Sequence, residues 1–156
     1  MKVKKLWIQK YQRYYDQEII FEDFSNDSRL QKDIFVNMNI LLFSGENGAG
    51  KTTILSFISY IFRYIQRYRE RMTSDYMISY DIKMKNKVAS VTLKKHKTDI
   101  YIEIDNELYY IKEYKIGYNR GYYQNPNIEK IKQVTYDEIK KYLPTKVYVL
   151  GFDNAY

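Results

Sequence analysis

The sequence predicts an α/β fold in which a mixed sheet is combined with one long helix and an antiparallel β meander. Three observations lead to this fold class. Residues 39–44 form a short, continuous apolar run that ends at Gly45, as a strand covered on both faces does. Residues 51–71 carry apolar side chains every three or four positions. Residues 77–115 alternate between apolar and polar, which is typical of strands.

The first part of the chain predicts two paired strands. Residues 6–11 alternate in the manner of a half-buried strand, and residues 18–24 offer a second strand that we expect to pair with the first. The helix predicted over residues 51–71 has one apolar face, formed by Ile54, Phe57, Ile58, Ile61, Phe62 and Ile65.

The second part of the chain predicts the meander and a short helix. The meander strands are expected at residues 77–84, 88–93, 100–104 and 108–115, separated by polar turns. Residues 117–127 are rich in glycine and asparagine and are predicted to be a loop. Thr135 and Glu138 have the spacing of a capping box for a helix that ends at Pro144. A last strand is predicted over residues 146–152.

The composition excludes several kinds of site. The chain of 156 residues has no cysteine, which excludes disulfides, thiolate zinc sites and cysteine nucleophiles, and its one histidine, His96, excludes histidine-cluster metal sites. The formal net charge of +7 favours polyanionic partners such as nucleic acid or nucleotide phosphates. No apolar stretch approaches the roughly 18 residues that a membrane-spanning helix needs. We therefore expect a soluble, cytoplasmic protein.

A glycine-rich motif lies between the predicted strand and the predicted helix, and it is the main candidate for a functional site. The motif G-x-x-x-x-G-K-[ST] is matched in full by Gly45, Glu46, Asn47, Gly48, Ala49, Gly50, Lys51 and Thr52. Its glycines let successive N–H groups point inward as an anion nest, and the helix that follows presents its positive N-terminus to phosphates. Lys51 is the candidate catalytic residue, because it would reach the β- and γ-phosphates. Thr52 would hold Mg²⁺, and the Thr53 hydroxyl would bond the α-phosphate. The motif predicts a P-loop NTPase lobe that binds ATP and Mg²⁺.

Hydrolysis of the nucleotide would need more residues than this motif supplies. An acidic residue on a neighbouring strand must complete the metal site, and a further group must orient the attacking water. Asp153 ends an apolar strand, and Asp105 precedes a predicted hairpin turn. Neither position decides whether the chain catalyses hydrolysis.

The residues of this P-loop motif resemble those of a particular group of ATPases. Residues 45–53 match the G-x-N-G-x-G-K-[ST]-[ST] form of ABC-type ATPases, which include SMC-like, RecF-like and OLD-family proteins of the AAA branch. Leu6, Ile8, Tyr11 and Arg13 are similar to the opening strands of that branch. The resemblance implies that residues 1–156 are the N-terminal ATP-binding lobe of a head domain, cut from a longer protein, with residues 77–115 as a meander subregion. It also implies that two such heads close around ATP as a dimer.

The resemblance leaves three functional hypotheses. The first is an SMC- or OLD-like ATPase in DNA maintenance, or in bacterial restriction or anti-phage defence, whose partners are a second copy or second lobe and DNA or a nuclease effector. The second is the ATP-binding subunit of a transporter, which shares the same P-loop form. The third is a lobe that binds nucleotide as a scaffold without hydrolysis.

Two basic surfaces are candidates for nucleic-acid binding. Arg63, Arg67 and Arg71 lie four residues apart on the predicted helix and form one ridge, which either follows a phosphate backbone or is a solvated helix face. Lysines 83, 85, 87, 94, 95 and 97 are expected around the turns of the meander. There they would contact DNA or prevent edge-to-edge pairing of sheets. His96, in one of these turns, is expected to be solvent-exposed.

Overall fold

The computed structural model describes residues 1–21, 51–66, 74–112 and 130–144. Four features predicted from the sequence lie outside these residues. They are the strand at 39–44, the glycine-rich part of the P-loop, the loop at 117–127 and the strand at 146–152.

Within the described residues, seven strands form one mixed sheet in the order β2-β1-β3-β4-β5-β6-β7. The strands are β1 (Lys2–Tyr11), β2 (Tyr14–Ile20), β3 (Tyr76–Lys83), β4 (Val88–His96), β5 (Asp99–Ile104), β6 (Glu107–Ile111) and β7 (Lys132–Val134). Neighbouring strands are antiparallel except β6 and β7, which pair in parallel. The antiparallel pairing of β3 to β6 confirms the predicted meander.

The first two strands pair as predicted, but β2 begins and ends earlier than the alternation indicated. The turn of the β1–β2 hairpin consists of Gln12 and Arg13, since Tyr11 pairs with Tyr14. Gln12 has a φ of 51°, a conformation that glycine or asparagine usually supplies. Because this turn carries no glycine, asparagine or proline signal, the sequence alone did not place it.

Short turns connect the meander strands. The β5–β6 turn is formed by Asp105 and Asn106, whose φ angles of 48° and 72° suit a tight hairpin with the twist of its strands. Asp and Asn tolerate this left-handed region better than most residues do. Between β3 and β4, Met84 N–H donates to Lys87 C=O at 2.7 Å.

Two helices and one 3₁₀ turn accompany the sheet within the described ranges. Helix α1 comprises Lys51–Gln66, and the predicted continuation to residue 71 lies outside the description. Helix α2 comprises Tyr136–Ile139 and is followed by a 3₁₀ turn, Lys140–Tyr142. The Glu138 N–H donates to Thr135 Oγ1 at 3.3 Å, which confirms the predicted cap.

The core lies between α1 and the sheet. All six apolar residues predicted for the face of α1 are buried: Ile54, Phe57, Ile58, Ile61, Phe62 and Ile65. Phe57 meets Tyr76 edge-on at 6.1 Å, and Phe62 meets Tyr80 at 5.4 Å, so α1 lies across β3. Burial of each such side chain contributes about 1.5–3 kcal/mol to folding. The apolar face thereby holds α1 against the sheet.

Strand β7 was not predicted from the sequence. It has three residues, of which Val134 is buried and the other two are exposed. A segment of this length is too short to show a period in its apolar residues. It becomes a strand because β6 offers a free edge, where Ile111 pairs with Val134.

Candidate functional site

The start of α1 is the part of the candidate nucleotide site that lies within the described residues. Lys51 and Thr52 are the first two residues of this 16-residue helix. Its first turn contains no acidic residue, so no carboxylate of that turn neutralises the positive end of the helix dipole. Such a helix N-terminus favours an anion. Of the other predicted nucleotide ligands, residues 45–50 lie outside the description.

The β1–β2 turn lies beside the first turn of α1. The Thr53 hydroxyl donates to Gln12 Oε1 at 3.3 Å, across 41 residues of sequence. One residue before Gln12, the Tyr11 ring packs edge-on against Phe57, with the ring centroids 4.8 Å apart. The hairpin and the start of the helix therefore form one structural unit. Sequence reasoning did not identify Gln12, and only its positive φ marks it as unusual.

Tyr11 occupies a protected position in this unit. Its ring lies 6.3 Å from that of Tyr60, in an edge-on arrangement. Burial, and then the nearby Tyr60 and Tyr64, raise the pKa of the Tyr11 phenol. The phenol is therefore neutral at neutral pH and can donate a hydrogen bond.

Cross-strand contacts hold the hairpin in register. The indole N–H of Trp7 donates to Asp16 Oδ1 at 2.8 Å. Asp16 itself has a φ of 44°, which interrupts the regular geometry of β2. Lys5 Nζ lies 3.2 Å from Glu18 Oε1 on the same pair of strands. These contacts position the hairpin tip that carries Gln12.

A polar network joins the ends of β1 and β3. The backbone N–H of Lys10 donates to Ser74 Oγ at 2.9 Å. Gln9 is bound twice by Asp75: its side-chain Oε1 accepts from the Asp75 N–H at 2.9 Å, and its own N–H donates to the Asp75 carbonyl at 3.1 Å. Ser74 and Asp75 immediately precede β3. The network therefore anchors the start of β3 to the hairpin.

The Asp75 carboxylate extends this network to β4. Lys97 N–H donates to Asp75 Oδ1 at 2.8 Å, and His96 Nδ1 lies 3.3 Å from Oδ2. Lys95 Nζ donates to the Ser74 carbonyl at 3.2 Å and lies 3.6 Å from Asp75 Oδ1. The side chain of Lys95 is 3% exposed, so the prediction of a surface lysine at this position is wrong. His96, with 54% of its side chain exposed, is solvent-exposed as predicted.

Of the remaining candidate residues, Arg63 and Asp105 lie within the described part of the chain. Arg63 is exposed on α1, whereas Arg67, Arg71 and Asp153 lie outside the described residues. Asp105 accepts hydrogen bonds from Ser90 N–H at 3.0 Å and from Lys87 Nζ at 3.3 Å. The Ser90 bond, and after it the contacts from Lys87, lower the pKa of Asp105. Its place in the β5–β6 turn, where its φ is 48°, identifies Asp105 as a turn residue. Across the described ranges, no group of three His, Cys, Asp or Glu residues could hold a metal ion.

The mixed sheet with α1 beside it is consistent with an α/β domain of the P-loop type. A family model described as an AAA domain matches residues 5–153. The chain therefore belongs to this family of P-loop ATPase domains, which is found in SMC-like proteins. Searches of curated proteins and of solved structures found no match. In the described part of the chain, no helix has the length and apolar character needed to cross a membrane.

Proposed function

We propose that this chain binds ATP and Mg²⁺ through residues 45–53, as part of an SMC- or OLD-like ATPase that acts in DNA maintenance or anti-phage defence. In this proposal Lys51 is the catalytic residue, and its ammonium group contacts the β- and γ-phosphates. The Thr52 hydroxyl completes the coordination of Mg²⁺. The backbone N–H groups of the glycine-rich loop surround the phosphates.

The position of α1 is the observation that supports this proposal most directly. The helix begins at Lys51, immediately after the last glycine of the motif. Its buried apolar face, packed on β3, fixes the direction in which its N-terminus points. An anion placed there gains from the helix dipole and from the lysine side chain together.

The Thr53 hydroxyl would change partners when nucleotide binds. A hydroxyl group donates one hydrogen bond, and that of Thr53 is directed to Gln12 Oε1. To donate to the α-phosphate it must leave Gln12. Nucleotide binding would therefore loosen the contact between α1 and the hairpin tip.

Hydrolysis and partners belong to the larger assembly in this proposal. A second copy or a second lobe would supply the groups that orient water, and DNA or a nuclease effector would be the partner. Arg63, Arg67 and Arg71 would follow the phosphate backbone of DNA. The site of action would be the cytoplasm.

Isothermal titration calorimetry with ATP and MgCl₂ tests the proposal. Replacement of Lys51 by alanine is expected to weaken ATP binding by about tenfold or more, because it removes a charge-assisted contact to the phosphates. Lys85→Ala is the matched control, since it removes an exposed lysine from the β3–β4 turn. An ATP affinity that is the same in Lys51→Ala and Lys85→Ala would contradict the assignment of the P-loop.

A further inference from the structure

The outer side of α1 carries a pair of stacked tyrosines. Tyr60 and Tyr64 lie one helical turn apart, with ring centroids separated by 5.8 Å and planes inclined by 19°. Tyr11 meets Tyr60 edge-on at 6.3 Å. All three residues are partly buried, so part of each tyrosine reaches solvent. The chain therefore holds two aromatic rings parallel to each other at its surface.

One exposed basic residue lies next to this pair on α1. Arg63 lies between the two tyrosines in sequence and is exposed. Among the described residues, it has no carboxylate partner. Helix α1 contains no acidic residue at all, and its charged side chains are those of Lys51 and Arg63. A polyanion can therefore approach the stacked pair without meeting a negative charge on this helix.

We propose that Tyr60, Arg63 and Tyr64 form a stacking surface for single-stranded DNA. Aromatic rings stack on the faces of unpaired bases, while an adjacent arginine contacts the phosphate backbone. A base that stacks on Tyr60 and Tyr64 extends a stack that the protein already holds in place. Because the two rings sit on a rigid helix and support each other, little side-chain freedom is lost on binding.

The same features disfavour a duplex as the ligand. In double-stranded DNA the faces of the bases are covered by their neighbours, so stacking on tyrosine requires unpaired bases. That the bound strand is DNA rests on the DNA-linked part of the proposed function. It does not rest on ATP binding.

Fluorescence anisotropy with a labelled oligo-dT strand tests the proposal. The double variant Tyr60→Leu/Tyr64→Leu is expected to bind about tenfold or more weakly, which is the loss of one stacked base. Leucine keeps the helix propensity and apolar packing while it removes the aromatic face. The double variant Tyr60→Phe/Tyr64→Phe keeps the rings and is expected to bind within about twofold of the parent chain.

A matched control uses a tyrosine of the sheet instead of the helix. Tyr109 on β6 also lies beside a basic residue, with Lys132 Nζ 5.6 Å from its ring centroid. Tyr109→Leu is expected to leave binding of oligo-dT unchanged. Arg63→Ala is expected to reduce the slope of log affinity against log salt by about 0.7, the share of one phosphate contact on a single strand.

Several outcomes would overturn the proposal. Equal binding of oligo-dT and of an abasic strand of the same length would do so, because the abasic strand has phosphates but no bases. Equal affinity of the double leucine variant and the double phenylalanine variant for oligo-dT would also overturn it. Tighter binding of a DNA duplex than of oligo-dT would overturn it as well. Calorimetry with ATP on the same samples keeps the two proposals separate. Loss of ATP binding with retained tyrosine-dependent DNA binding would remove only the proposed nucleotide site.

Discussion

Helix α1 and the C-terminal β7–α2 segment (residues 132–144) both pack against Tyr80 of β3, but they are held there differently. Phe62 of α1 touches the Tyr80 ring, whereas Tyr142 accepts a hydrogen bond from the Tyr80 hydroxyl at 2.7 Å. Six buried apolar side chains attach α1, and three attach the β7–α2 segment: Val134, Ile139 and Leu143. The helix is held by buried area, while the β7–α2 segment depends more on individual polar contacts.

This difference predicts where a single substitution lowers the free energy of unfolding most. Within an extended apolar face, removal of one ring leaves a cavity that neighbouring side chains cannot fill. In the β7–α2 segment, each hydrogen bond contributes separately about 1 kcal/mol to the free energy of unfolding. Substitutions in the buried face of α1 are therefore expected to destabilise the fold more than substitutions in the β7–α2 segment.

Phe57→Ala is expected to lower the free energy of unfolding by about 3–5 kcal/mol, since Phe57 is fully buried between Tyr11 and Tyr76. Urea denaturation followed by circular dichroism measures this change. Arg63→Ala, on the exposed side of the same helix, is expected to stay within about 0.5 kcal/mol of the parent chain. Equal losses from the two substitutions would contradict the assignment of the buried face.

Tyr80→Phe is expected to cost about 1 kcal/mol, because it removes the hydroxyl that binds the Tyr142 carbonyl and leaves the ring in place. Burial raises the pKa of Tyr80 far above the usual range for tyrosine, so its hydroxyl is a donor at any moderate pH. Hydrogen exchange should show faster opening at residues 136–143 than in α1. Tyr109→Phe is the control, since its hydroxyl is bound to the exposed Glu107. Uniformly faster exchange over both regions would refute a local role for the Tyr80 hydroxyl.

Thr135→Ala is expected to cost about 0.5–1 kcal/mol, because the N-cap bond to Glu138 N–H is long at 3.3 Å and exposed. Thr135→Ser keeps the hydroxyl and should restore most of the loss. Thermal unfolding of the two variants gives the comparison. If the serine variant is no more stable than the alanine variant, the side-chain cap contributes nothing to α2.

The parts that sequence reasoning predicted well share a regular period. The apolar face of α1 repeats over several turns, and all six of its predicted residues are buried. The meander strands alternate and are separated by polar turns, so their pairing could also be predicted. The boundaries of β2 and the existence of β7 were missed. The turn at Gln12 has no glycine, asparagine or proline, and β7 is too short to show a period.

Lysine 95 shows why a local pattern can be misleading. In the sequence it lies between Lys94 and His96, in a stretch that resembles an exposed turn. In the fold, β4 continues through these residues, and the alternation of strand faces directs Lys95 inward. A buried ammonium group requires a partner. Asp75 supplies it, from a position 20 residues earlier in the chain that no local pattern could identify.

The amino-acid sequence alone indicates the chemical character of this protein. The P-loop letters, the helix face and the alternating meander are local patterns, because each depends on neighbouring residues along the chain. The tertiary structure, in contrast, sets which distant residues meet. It brought Gln12 to Thr53, placed Tyr11 against the stacked Tyr60, and joined three strand ends at Asp75. Such contacts depend on the packing of whole strands and helices, which a one-dimensional pattern does not contain.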